Sequence, residues 1–276
     1  MSQVSTADIS KLRQLTGAGM MDCKNALVEA EGDFDKATEI IRKKGQAVAM
    51  KRADREAGEG CVLARVSENH KTGVVISLNC ETDFVAKNSE FIATTESFVK
   101  AALEHKPADI NALKELTIDG LKIADIIMGK IAAIGEKIDI TYYQMLEAEM
   151  VTPYTHNGNK IACMVGFTKA VPEQVGKDIA MQIASMNPVS VTKDDVPASV
   201  IEKEIEIGKD QARQEGKPEN MIEKIAMGKL NKFFKDSTLL SQDFIKDNKM
   251  SVEQYLASTD KGVKVTGFRR CSLVLS

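Results

Sequence analysis

The apolar pattern of this 276-residue chain changes period at Gly58-Glu59-Gly60, and a chain with that break cannot close around one kind of secondary structure. Before the break, Leu12, Leu15, Met20, Met21, Ala26, Leu27, Ala30, Phe34, Ala37, Ile40 and Ile41 recur at helical spacing. Interruptions at Thr16-Gly17-Ala18-Gly19 and Glu31-Gly32-Asp33 divide the run into three short helices. After the break, Val62, Ala64 and Val66 alternate with their neighbours, and Val74, Ile76 and Leu78 do so again beyond a turn at Lys71-Thr72-Gly73. That alternation predicts a β-hairpin, so the fold class is α+β. The length also exceeds the ~100–200 residues of one ordinary domain, which calls for several modules.

Asp22 and Asp33 are suited to helix N-caps, and Arg42-Lys43-Lys44 followed by Gly45 reads as a helix end. Residues 46–60 turn polar and fade into a linker. A bundle this small sits near the lower limit of an independent core, which leaves exposed apolar residues free to dock on something else. Phe91, Ile92, Thr95, Phe98, Val99, Ala102 and Leu103 predict a helix on one face of the hairpin. The same order recurs at the turn Asn157-Gly158, the strand Ile161 to Phe167 and a helix from Pro172 that buries Val175, Ile179, Ile183 and Met186. The core therefore reads as two related α+β subdomains with antiparallel sheets, although residue identities hardly match between them. Two apolar stripes follow, Ile201, Ile205, Gly208 and Ala212, then Met221 or Ile222, Ile225, Leu230 and Phe233. Gly216-Lys217-Pro218 separates them, which predicts an inserted antiparallel helical hairpin of coiled-coil type. Val252, Tyr255 and Leu256 suggest one more helix, and Lys264 to Leu275 a returning strand. The expected organisation is residues 1–55 as a helical domain, 56–143 and 144–276 as the two core subdomains, and 193–236 as the inserted hairpin.

A net charge of −3 gives no general attraction to phosphate backbones, so direct nucleic-acid binding is not expected. The five cysteines are dispersed and never form C-x-x-C, which indicates neither a disulfide framework nor a zinc ribbon. No apolar run reaches the ~18 residues of a membrane span and the first 20 residues lack a signal-peptide core, which points to a soluble cytoplasmic protein. Neither a phosphate-loop motif nor G-x-G-x-x-G after a strand occurs, and three scattered histidines make no metal pattern, so no cofactor, metal or catalytic group is expected. Cys80 reads as a small buried residue at a strand end.

Two stretches carry a resemblance. Leu12-Arg13-Gln14-Leu15-Thr16-Gly17-Ala18-Gly19-Met20-Met21-Asp22-Cys23-Lys24-Asn25-Ala26-Leu27 is similar to the N-terminal signature of the elongation factor Ts family. Asn79-Cys80-Glu81-Thr82-Asp83-Phe84-Val85-Ala86-Lys87 resembles its core signature almost residue for residue. Ile134-Gly135-Glu136, Tyr154-Thr155-His156-Asn157-Gly158, Gly216-Lys217-Pro218 and Leu239 to Asp247 add weaker similarity, so the resemblance spans nearly the full chain.

The resemblance implies an N-terminal bundle like a ubiquitin-associated domain and guanine-nucleotide exchange on elongation factor Tu. An exchange factor breaks no bond; it binds the empty GTPase more tightly than the GDP form, and linkage then weakens GDP by the same factor. By the same resemblance Asp83 and Phe84, flanked by Thr82 and Val85, intrude near the partner's Mg²⁺ and phosphates, and Arg13, Met20, Met21, Ile134, Gly135, His156, Phe244 and Ile245 contact it. Judged without the resemblance, Phe84 packing beneath the strand-to-helix connection with Asp83 capping the next helix weighs evenly against an outward-facing pair. The helical hairpin would touch the GTPase or a second copy of the chain, through which, or through the core, it would self-associate. The sequence stops at Ser276, where many relatives continue into a C-terminal helix, so that contact is expected to be missing.

Overall fold

A computed structural model of the chain describes residues 4–274. Helices α1 (Thr6–Thr16), α2 (Met20–Glu29) and α3 (Phe34–Lys51) enclose Leu12, Cys23, Ala26, Leu27, Ala37 and Ile41. Asp33 caps α3 as expected, accepting from the backbone N–H groups of Asp35 and Lys36. Asp22 does not cap; Gly19 holds that position, and Asp22 lies inside the first turn of α2, where it pairs with Lys44. The helix also runs through Gly45 to Lys51 instead of stopping there. Gly45 is needed for close approach: a Cβ would overlap the Met128 carbonyl of the helix crossing it. The same holds at Gly129, where a Cβ would overlap the Thr16 carbonyl at the end of α1.

Strands β1 (Glu59–Val66) and β2 (Thr72–Cys80) pair antiparallel, Glu59 opposite Cys80 and Val66 opposite Gly73. The turn lies at 67–71 and ends two residues earlier than expected, because Ser67 Oγ and Asn69 Oδ1 accept from the backbone of Thr72 and Lys71. A single-turn α4 (Asp83–Ala86) leads into α5 (Ser89–His105), then α6 (Ile110–Glu115), the short β3 (Thr117–Ile118) and β4 (Leu121–Lys122), and α7 (Ile123–Ile134). Strand β5 (Asp139–Glu147) closes the sheet beside β2. Strands β6 (Met150–Thr155) and β7 (Ile161–Phe167), helix α8 (Glu173–Met186), and later β10 (Val265–Ser272) repeat the connectivity, with β7 central as β2 is. Leu275, the expected end of the last strand, falls outside the described residues.

The two sheets lie face to face. Cys61, Leu63, Val74, Ile76 and Leu78 point to α5 and α7, while Val62, Ala64 and Val75 meet Val151, Ala162 and Met164 of the other sheet. Cys163, Val165 and Phe167 point outward to α8 and to α11 (Val252–Thr259). The order is therefore helix, sheet, sheet, helix, and strand residues of both parities are buried. Met186 departs from the expected burial and is exposed.

Helices α9 (Ala198–Gln214) and α10 (Glu219–Ser237) pack on each other with Gly208 against Ala226, and Ile222 rather than Met221 is buried. A bridge between Ser190 and Thr238 closes their base. The short β8 (Asp243–Phe244) and β9 (Asp247–Ser251) lead from there into α11.

On α8, the buried Asp178 carboxylate accepts from Lys246 Nζ (2.6 Å), Gln174 Nε2 (2.7 Å) and Tyr255 Oη (2.9 Å). Burial pushes its carboxyl up, but the bonds from Lys246, Gln174 and Tyr255 outweigh that and hold it below the ordinary value. A depressed carboxylate stabilises the fold above its unfolded value and ceases to do so as pH falls through its folded one. Asp178→Asn should therefore cost about 1–3 kcal/mol in urea unfolding at neutral pH. Its difference from the parent chain should shrink once the pH drops below the ordinary aspartate value of about 4.

Candidate functional site

Strand β2 ends at Cys80 with its hydrogen-bonding partners used up, since Glu59 lies opposite Cys80 and Asp139 opposite Asn79. The next two backbone N–H groups, of Glu81 and Thr82, are taken by the Glu136 carboxylate at 3.0 and 3.1 Å, and the Thr82 hydroxyl donates to it at 2.7 Å. Thr82 then caps α4, accepting from the Val85 N–H. On this single turn Phe84 is 84% exposed, an unusual position for an aromatic ring. It does not pack beneath the connection, and Asp83 caps nothing: Thr82 caps α4 and Asn88 caps α5. Asp83 instead accepts from Lys87 at 2.6 Å, and that bond holds its carboxyl below the usual range. Val85 is half-buried and packs toward the core.

Other expected contact residues lie at the end of α7, in the turn beside β1 and on the N-terminal helices. Ile134 is partly exposed at the end of α7, and Gly135 caps the helix with φ +79°, directly before Glu136. The turn after β6 lies alongside β1, with Asn159 O accepting from Val62 N at 2.7 Å and Lys160 paired with Glu59. His156, exposed in that turn, has Nδ1 2.9 Å from the Tyr154 hydroxyl. Arg13 reaches Glu90 in the first turn of α5 at 3.5 Å, and Glu90 is bonded to the buried Lys130 at 2.7 Å. Met20 and Met21 are exposed on the first turn of α2.

Phe244 and Ile245 stand apart. Phe244 is buried and stacked on Tyr255 with ring centroids 4.2 Å apart, so it offers no contact surface; it belongs to the second core. Ile245 is partly exposed, its N–H donating to Gln182. Glu136, Glu81, Arg52 and Lys137, none of them among the expected contact residues, hold the corner. Glu136 stood next to Gly135 in a matched triplet, and that adjacency was the available signal.

The chemistry here is that of contact. Burial first, with the Glu136 charge added, pushes the Cys80 thiol up to about 12, so it is not a thiolate at neutral pH. Among the described residues no His, Cys, Asp and Glu group is arranged to hold a metal ion, and no helix is long and apolar enough to cross a membrane. An exposed ring on a clamped corner has the chemistry of a surface that engages another macromolecule, and the exposed methionines of α2 share that chemistry.

The family model described as Elongation factor TS matches residues 81–274. Elongation factor Ts of Christiangramia forsetii is 50% identical over 99% of this chain and 100% of its own length. The Amoebophilus asiaticus and Porphyromonas gingivalis proteins of the same name are 51% and 48% identical, over 97% and 98% of this chain and 98% of their own lengths. The chain belongs to the elongation factor Ts family, nucleotide exchange factors of translation elongation.

Proposed function

We propose that this chain binds elongation factor Tu in its GDP form and releases the nucleotide by pressing Phe84 and Asp83 against the partner's Mg²⁺ and phosphate region. The exposure of Phe84 on a corner fixed by Glu136 carries this reading. A ring held clear of its own core enters a partner without first unfolding anything. The neighbouring carboxylate is suited to compete for groups around a bound cation. A phosphate loop and Mg²⁺ supply most of a GTPase's grip on GDP, so a small displacement there weakens binding sharply. Thr82 and Val85 hold the wedge, and Ile134, Gly135, His156, Arg13, Met20 and Met21 extend the contact. Phe244 does not join them, and Ile245 would do so only from the second unit.

In this reading residues 1–55 form a domain of ubiquitin-associated type, 56–143 and 144–276 form the two core subdomains, and 193–236 form the coiled-coil insertion. The exposed Met221 and Met227 of that hairpin support a role in contact, with the GTPase or with a second copy of this chain. The reaction would take place in the cytoplasm, on the translation machinery, with no bond made or broken by the chain.

The test is displacement of fluorescent GDP from elongation factor Tu by excess unlabelled nucleotide. Substoichiometric amounts of this chain should accelerate release and turn over many times. Release at the spontaneous rate would reject the proposal.

A further inference from the structure

Two carboxylates cross between the corner and the loop after α7, and each accepts from backbone N–H groups of the other's segment. Glu136 accepts from the N–H groups of Glu81 and Thr82, while Glu81 Oε1 accepts from the N–H of Lys137 at 2.7 Å. The second Glu81 oxygen receives Arg52 Nη1 at 2.8 Å, and Arg52 is the C-cap of α3. Lys137 Nζ donates to the carbonyls of Ala53 and Arg55, at 2.7 and 3.0 Å. One closed network thus ties the Phe84 turn, the end of α7 and the end of the N-terminal bundle.

The network answers a local problem. Four residues make too short a helix to hold its own direction, and the ladder has already ended at Cys80. Without acceptors the Glu81 and Thr82 N–H groups would turn to water, and α4 would turn with them. Charge-assisted bonds to two adjacent backbone N–H groups and a hydroxyl fix both the position and the rotation of the turn.

We infer that Glu136, with Glu81 as its reciprocal arm, is a positioning residue for exchange: it acts through Phe84 by keeping the ring in the one orientation that enters the partner. This rests on the proposed role of Phe84. A corner that samples other orientations lowers the competent fraction, and the exchange rate falls with that fraction.

A double-mutant cycle on the full chain tests this, reading the maximal rate of fluorescent GDP release from elongation factor Tu. E136A should slow release about tenfold in the parent chain but no more than about twofold when Phe84 is already alanine, because a ring that is absent cannot be mispositioned. E136Q, which keeps the shape and one acceptor oxygen, should fall between E136A and the parent, and carries the same cycle if E136A lowers the folded fraction. Amide hydrogen exchange should quicken at Glu81, Thr82 and Lys137 in E136A while Ile76 in β2 stays protected. Equal slowing by E136A in both backgrounds, or unchanged protection at those three amides, would overturn the inference. A chain whose release rate is indifferent to F84A alone would instead reject the role of Phe84, a different result from the same four proteins.

Discussion

Replacing Phe84 by alanine is expected to slow GDP release from elongation factor Tu about 30-fold at saturating chain while leaving the fold intact. At 84% exposure the ring contributes almost nothing to its own core, so unfolding in urea should change by no more than about 0.5 kcal/mol. Buried in a partner, an aromatic side chain is worth about 2 kcal/mol, and each 1.4 kcal/mol is tenfold in rate. The asymmetry is the point: a large functional loss without a stability loss marks a side chain that works on another molecule. A Phe84→Ala chain that exchanges at the parent rate would remove the wedge from the account. So would one that merely unfolds.

A second large effect is expected at Gly129, from the opposite cause. Valine there would drive a Cβ into the Thr16 carbonyl, and α1 could not remain against α7. Overpacking of this kind costs about 1–3 kcal/mol. The displaced bundle carries Arg13, Met20 and Met21, so the concentration of chain needed for half-maximal exchange should rise about tenfold. The maximal rate should fall less, because the bonds from Glu136 to Glu81 and Thr82 that hold the Phe84 turn do not pass through α1. Titrating release against chain concentration separates the two, and an unchanged half-maximal concentration would show that the bundle's seat on α7 is irrelevant to exchange.

Gly129 also shows where reading the sequence stops. Within its own segment it is one more glycine in an apolar run, and its purpose is set by a carbonyl more than a hundred residues earlier. Gly45 misled for the same reason: lysines followed by glycine are the local signature of a helix end, but here the glycine admits a crossing helix and α3 continues. Local signals that needed only neighbours in sequence fared better. The alternation of Val62 to Val66 and Val74 to Leu78 gave strands, and the expected cap at Asp33 lies where a helix begins. The alternation did not reveal that both strand faces are covered, since the second sheet is supplied by residues beyond 150.

The site divides along the same line. Thr82 to Val85 was visible as a motif, but whether Phe84 faces inward or outward depends on what lies beneath the corner, and residues there weigh evenly between the two. Glu136 was invisible as a partner of Thr82, being 54 residues away with no pattern linking them. Phe244 illustrates the reverse error: similarity put it at a surface, while Tyr255 and the core beside α8 enclose it.

The most direct test of the central claim compares the parent chain with Phe84→Ala, each at saturation, with Mg²⁺ present and again after it is chelated. If the ring and Asp83 act by loosening the partner's hold on the metal and phosphates, removing the metal does part of their work, and the roughly 30-fold gap should narrow to a few-fold. A gap that stays the same without Mg²⁺ would contradict the account, because Phe84 would then be contributing binding alone.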